Sequence, residues 1–262
     1  MEDEVYQLDI ASPTSSYIGP ASTSTGWQLD ARYRLLQTYD AYDRGDNPTQ
    51  VTRRADRPTS YLWSNGEEQL LAEARNASSA QIAYTSFEPG ATGRWQYDSL
   101  GTRQVPVHFT GNVSYQLDGT LASTIRRPGL AAGEYELWFW SYGPNVPLVS
   151  LATGTVTQRD ELLTVAGPWQ QHHIRLTLPA NATLQLNSVA NQSIWIDELR
   201  LYPVGAQMTT YTHQPLAGIT SQTDPSGRTT TYEYDALGRL IRTRDEQGRV
   251  LSQQHYHYAR RP

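Results

Sequence analysis

The sequence predicts a mainly β protein, a sandwich or barrel with at most one short helix, and three observations carry that prediction. Strand-like runs with two-residue alternation recur along the chain. Between them stand clusters of Gly, Pro, Asn, Asp and Ser, the residues that turn a backbone. Helical spacing occurs once, over Glu67–Ala77 (EEQLLAEARNA), where Leu70, Leu71 and Ala74 share a face and acidic residues lead.

In chain order, the first 79 residues hold Trp27, Tyr61, Leu62 and Trp63 but little sustained pattern, and read as a poorly packed, partly extended region. Gly19–Gly26 (GPASTSTG) reads as a loop or linker, and Asp43–Pro48 (DRGDNP) as a turn. The strongest strands follow. Tyr135–Ser141 puts Tyr135, Leu137 and Phe139 on one face, with Glu136, Trp138 and Trp140 on the other. His173–Leu178 aligns Ile174, Leu176 and Leu178, and Ile194–Tyr202 ends the densest stretch of strand signal. The tail differs in kind. D-P-S-G-R, D-A-L-G-R and D-E-Q-G-R begin at Asp224, Asp235 and Asp245, roughly ten residues apart. Each is a turn followed by a β-prone run that can bury its face only against its neighbours, which is the mark of a repeat array. The Asp can bond the turn backbone, while Gly227, Gly238 and Gly248 supply the positive φ of the bend.

Composition narrows the function classes. The 262 residues carry a formal charge of −5, and all 21 basic residues are Arg. Without Lys there is no amine for a Schiff base or a phosphate cradle. The arginines are scattered, so the basic patch of a nucleic-acid binder is missing. No apolar run reaches the ~18 residues of a membrane helix, so no membrane insertion is expected. The acidic start, Met1-Glu2-Asp3-Glu4, encodes no signal peptide. With no cysteine there is neither a disulfide framework nor a thiol nucleophile. No G-x-S-x-G, H-E-x-x-H, P-loop or G-x-G-x-x-G is present, so no enzyme is expected.

The tail segment Glu233-Tyr234-Asp235-Ala236-Leu237-Gly238-Arg239-Leu240 resembles the YD repeat of RHS-type proteins, large bacterial surface or secreted proteins whose β-hairpins wind into a shell. The resemblance spans Thr209 to Tyr258, with a weaker copy at Tyr39-Asp40-Ala41-Tyr42, interrupted by Asp43-Arg44-Gly45-Asp46. It implies a non-catalytic piece of a longer protein, partnered by that protein's remaining repeats. A second resemblance covers about residues 80–205. Phe87-Glu88-Pro89-Gly90 with Trp95, Gly133 to Trp140, Gly167-Pro168-Trp169 and Trp195 to Leu201 stand in an order similar to the jelly-roll carbohydrate-binding modules of cellulases and xylanases. Together these divide the chain into a degenerate repeat-like segment with linker and short helix (1–79), a jelly-roll β-sandwich (80–205) and YD repeats (206–262).

The second resemblance also implies sites. Sugar rings stack on flat aromatic faces, so Trp138, Trp140 and Tyr142 on one strand face would form a glycan platform, with Trp95 and Trp169 as core plugs or rim contacts. Glu88 and Asp197 match positions from which similar jelly-rolls hold a structural calcium, whose hard charge takes oxygen ligands. The competing reading is that an adjoining domain covers the aromatic face and that the carboxylates are strand-end charges.

Overall fold

The computed structural model describes residues 3–10, 19–24, 26–66, 68–98, 102–103, 107–154 and 157–257. Among them there is no α-helix, and a single 3-10 turn stands at Ser79–Gln81. The first strands are β1 (Asp3–Leu8), β2 (Ala21–Thr23), β3 (Gly26–Gln28), β4 (Tyr33–Tyr42), β5 (Pro48–Arg53), β6 (Thr59–Trp63) and β7 (Leu70–Arg75). Next come β8 (Ala83–Thr85), β9 (Thr102–Arg103), β10 (Ser114–Leu117), β11 (Ile125–Leu130), β12 (Gly133–Tyr142), β13 (Leu148–Leu151), β14 (Thr157–Ala166), β15 (Trp169–Leu178), β16 (Ala182–Asn187) and β17 (Ile194–Pro203). The chain closes with β18 (Gln207–Gln214), β19 (Gly218–Thr223), β20 (Thr229–Tyr234), β21 (Leu240–Arg244) and β22 (Val250–Gln253).

One antiparallel sheet of ten strands runs β1-β4-β5-β6-β7-β18-β19-β20-β21-β22. Its middle joins strands far apart in the chain: Arg75 lies opposite Gln207 and Ala72 opposite Thr210. Residues 76–206 are therefore inserted where a hairpin turn would otherwise connect β7 to β18. Asn76, at φ 62, closes the neck by donating from Nδ2 to the Gly205 carbonyl at 2.8 Å.

The expected helix is a correction. Leu70–Arg75 is a strand, and Glu67 lies outside the described residues. The local preference of Ala, Leu and Glu for helix is weak beside tertiary packing. Here Ala72 and Ala74, fully buried at two-residue spacing, let the insert approach the sheet closely. The expectation of a poorly packed, partly extended region over the first 79 residues is corrected in part: Val51, Leu62, Ala72 and Ala74 are buried, whereas Val5, Tyr6 and Trp27 near the start are exposed.

The repeat turns share one geometry. At Asp224, Asp235 and Asp245 the backbone N–H donates to the carbonyl four residues on, and Oδ1 accepts the N–H groups two and four residues on. The Arg of each turn then donates Nε to Oδ2. Asp43 repeats this pattern, accepting from Gly45 and Asn47, with Asn47 in the Arg position and Asp46 (φ 61) in the Gly position. The N-terminal repeat pair is thus Tyr42-Asp43. Asp40, the residue expected in that role, instead accepts from Thr38, Gln50 and Thr52 within the sheet.

The insert is a β-sandwich. Seven strands, β14-β15-β12-β17-β10-β9 with β8 also beside β17, face the three-stranded sheet β11-β16-β13. Leu137, Phe139, Ile174 and Leu176 on one sheet meet Leu184 and Leu186 on the other in a closed apolar core. The strands expected from alternation at 135–141, 173–178 and 194–202 all form. A second, smaller core joins the insert to the sheet, where Ile82, Tyr84, Trp138 and Tyr202 pack on Leu62, Leu71, Ala74 and Met208. Burying one large apolar side chain contributes about 1.5–3 kcal/mol, so this contact holds the sandwich against one face of the sheet.

Candidate functional site: the junction between insert and sheet

The aromatic face of β12 points at the rest of the chain. Trp138 stacks on His173 with ring centroids 4.1 Å apart, and the Arg200 guanidinium lies 5.3 Å from the Trp138 ring. The first tail turn, Asp224–Arg228, docks there. Arg200 Nη1 donates to the Asp224 carbonyl at 3.1 Å, and Gln171 Nε2 to the Gly227 carbonyl at 2.7 Å. A Cβ on Gly227 would stand 2.8 Å from both the Trp138 ring and Gln171, so this glycine supplies clearance as well as its φ of +81.

The expected glycan platform is therefore corrected. Trp138 is 7% exposed, beneath the repeat turn, and Trp140 is 1% exposed, stacked on Phe109 at 3.8 Å. Tyr142 alone of the three is open, at 37%, and meets Trp169 edge-on. Trp169 is buried against Phe109, and Trp95 is a member of the sandwich core. The alternation placed these rings on one face; the first tail turn covers Trp138 there, and Phe109 of the insert covers Trp140.

Glu88 and Asp197, far apart in sequence, brace one segment. Glu88 Oε1 accepts N–H bonds from Asn112 and Val113 at 2.5 and 2.9 Å, and a Cβ on Gly111 would strike that carboxylate. Asp197, fully buried, accepts from Phe109 and Thr110 on Oδ2 and from Glu198 on Oδ1. Burial raises both carboxyls above the usual range; for Asp197 the neighbouring Glu198 charge adds to it. A calcium site needs six to eight oxygens, yet both carboxylates are met by N–H donors. Among the described residues no group of three His, Cys, Asp or Glu side chains converges. The donor set as arranged does not fit the ion.

Glu198 was not foreseen. Ile194, Ile196, Leu199 and Leu201 all lie in the sandwich core, an odd step that a regular strand cannot make. A bulge in β17, where Glu198 sits at φ 54, makes that step and turns the Glu198 side chain out of the core. Its Oε1 accepts from Tyr84 (2.7 Å) and Thr110 (2.6 Å) of the insert, and Oε2 from Thr210 (3.4 Å) and Thr223 (3.2 Å) of the sheet. One carboxylate thus pins both parts. A Glu within a strand run gives no such signal, because the bulge carries no glycine.

The geometry on the large sheet is that of a β-hairpin repeat protein. Residues 217–250, from the start of β19 to the start of β22, match the RHS Repeat family model. No curated protein matches the chain.

Proposed function

We propose that this chain is a non-catalytic scaffold segment of an RHS-type bacterial protein, acting at the cell surface or in a secreted assembly. The repeats build a wall and the sandwich buttresses it. The observation that carries this reading is the pairing of β7 with β18 across the insert, so that the wall continues past the sandwich while the sandwich covers one of its faces. The match of residues 217–250 to the RHS repeat supports the same reading. Glu198→Ala in the full chain tests it. Removing that acceptor leaves four hydroxyls of the joint short of a partner, a loss on the order of 3 kcal/mol. Amide hydrogen exchange in β18 to β20 should then quicken while β12 and β15 stay protected. Unchanged exchange in β18 to β20 would remove the buttress role.

A further inference from the structure

Asn65 and Gly66 form the exposed tip of the turn that joins β6 to β7. Ser64 and Gln69 close the base of that turn. The Ser64 N–H donates to the Gln69 carbonyl at 2.9 Å, and the Gln69 N–H to Ser64 Oγ at 3.3 Å. The tip itself is stitched to the insert: Asn65 N–H donates to the Gly90 carbonyl at 2.8 Å, and Thr92 Oγ1 to Asn65 Oδ1 at 3.1 Å. Two clefts flank it, one lined in part by Glu88 and the other by Asp43 and Arg94.

An asparagine side chain can react with the backbone nitrogen of the residue that follows it. Glycine in that place opens the approach, because it has no Cβ to obstruct the ring that forms. Asn65 is the one asparagine of the chain followed by glycine; the others precede Pro, Ala, Val, Ser or Gln. A Cβ at Gly66 would meet nothing within 4 Å, so the surroundings leave that approach open as well. Attack at Cγ sends negative charge onto Oδ1, the atom to which Thr92 already donates. A fixed donor aimed at an oxygen that gains charge lowers the barrier to the step.

We propose that Asn65 is a site of self-modification, where the folded joint promotes deamidation of its own rim. Gly66 N bonds to Asn65 Cγ, the Cγ–Nδ2 bond breaks, and ammonia departs with the Gly66 amide proton. Water then opens the cyclic imide at either carbonyl and leaves aspartate or isoaspartate at position 65. Isoaspartate reroutes the main chain through Cβ. Either product sets a new carboxylate between Glu88 and Asp43, so the rim exchanges a neutral stitch for like-charge repulsion. The inference stands independently of the scaffold reading.

Incubation of the full chain in neutral buffer tests it, read by peptide mass spectrometry and by isoaspartyl methyltransferase labelling. The mass gain of an amide turned into a carboxyl is expected on the peptide that carries Asn65, ahead of every other asparagine peptide. Gly66→Ala adds its methyl to open space, so the chain keeps its fold while the gain slows on the order of tenfold. Thr92→Val should slow it about fivefold in the folded chain, the loss of one hydrogen bond, and Thr92→Ser should restore it. In urea, where the contact is gone, the Val variant and the parent should react alike. The proposal is overturned by an Asn65 that stays unmodified or reacts no faster than the other asparagines. It is overturned too by a parent rate in Gly66→Ala, by a parent rate in folded Thr92→Val, or by a difference between parent and Val variant that persists in urea.

Discussion

The sandwich and the repeat sheet bury their interiors by different means. The sandwich closes two sheets over leucine, isoleucine and aromatic side chains, and Leu137, Leu184, Ile196 and Leu201 are fully buried there. Among the described residues the repeat sheet buries one large apolar side chain on each of four neighbouring strands, Val51, Leu62, Leu71 and Met208, and from β18 to β20 its buried positions are otherwise hydroxyls. Thr212 bonds Ser221 at 2.6 Å and Thr220 at 2.9 Å, and Thr223 bonds Thr229 at 2.9 Å, all under the insert. Toward β22 the burial ends, with Val250 and Leu251 exposed. A closed apolar core carries its own driving force, whereas a hydroxyl-lined sheet draws stability from whatever lies across it.

The sharpest way to break this comparison is inside the sandwich. Trp140→Ala should cost about 3–5 kcal/mol in urea or thermal unfolding, because the ring is enclosed beneath Phe109. Tyr142→Ala, two residues along the same face, should cost under about 1 kcal/mol. Equal effects would mean that the two rings share one environment.

The next test separates the two roles of the turn glycines. Gly227 and Gly248 both adopt positive φ, so alanine at either pays about 1–2 kcal/mol for the left-handed backbone. At Gly248 the new methyl meets nothing within 4 Å, while at Gly227 it meets Trp138 and Gln171. Gly227→Ala should therefore cost roughly 3 kcal/mol, with overpacking added. Matching losses in unfolding midpoints would contradict the docking of the turn on Trp138.

The smallest expected effect is a response to acid. The Arg239 guanidinium and the N–H groups of Arg239 and Leu237 hold the Asp235 carboxyl below its ordinary range. A folded pKa below the unfolded value of about 3.9 gives stability that is complete above that value and is lost as pH falls through the folded pKa. Asp197 has the opposite sign. Its raised pKa means that its contribution is present at low pH and is lost as pH rises through the folded value. Hydrogen exchange at Leu237 and Arg239, corrected for intrinsic rates, should accelerate below about pH 4. In Asp235→Asn that acceleration should vanish, and its persistence would assign the response elsewhere.

Much of the sandwich was legible because alternation reports directly on a strand with one buried face. Tyr135, Leu137 and Phe139 lie in the core as their spacing predicts. The repeat turns were legible because Asp and Gly carry the backbone geometry themselves. Three features escaped. Leu70–Arg75 favours helix locally, and only the insert resting on Ala72 and Ala74 makes it a strand. The N-terminal repeat was read three residues early, because Asn47 and Asp46 replace the Arg and Gly that mark its register. The covering of Trp138 depends on a turn some ninety residues downstream, a distance over which periodicity carries no information.

The neck of the insert has a consequence for how such a protein can be rebuilt. Two adjacent antiparallel strands end side by side at Arg75 and Gln207, and neighbouring strands in a sheet lie about 4.8 Å apart. A folded unit whose first and last residues meet that spacing, and which covers Leu71, Ala74 and Met208 as this sandwich does, can be spliced between them without altering the order of the strands on either side. The junction is a cassette port, and the sandwich is one cargo that fits it.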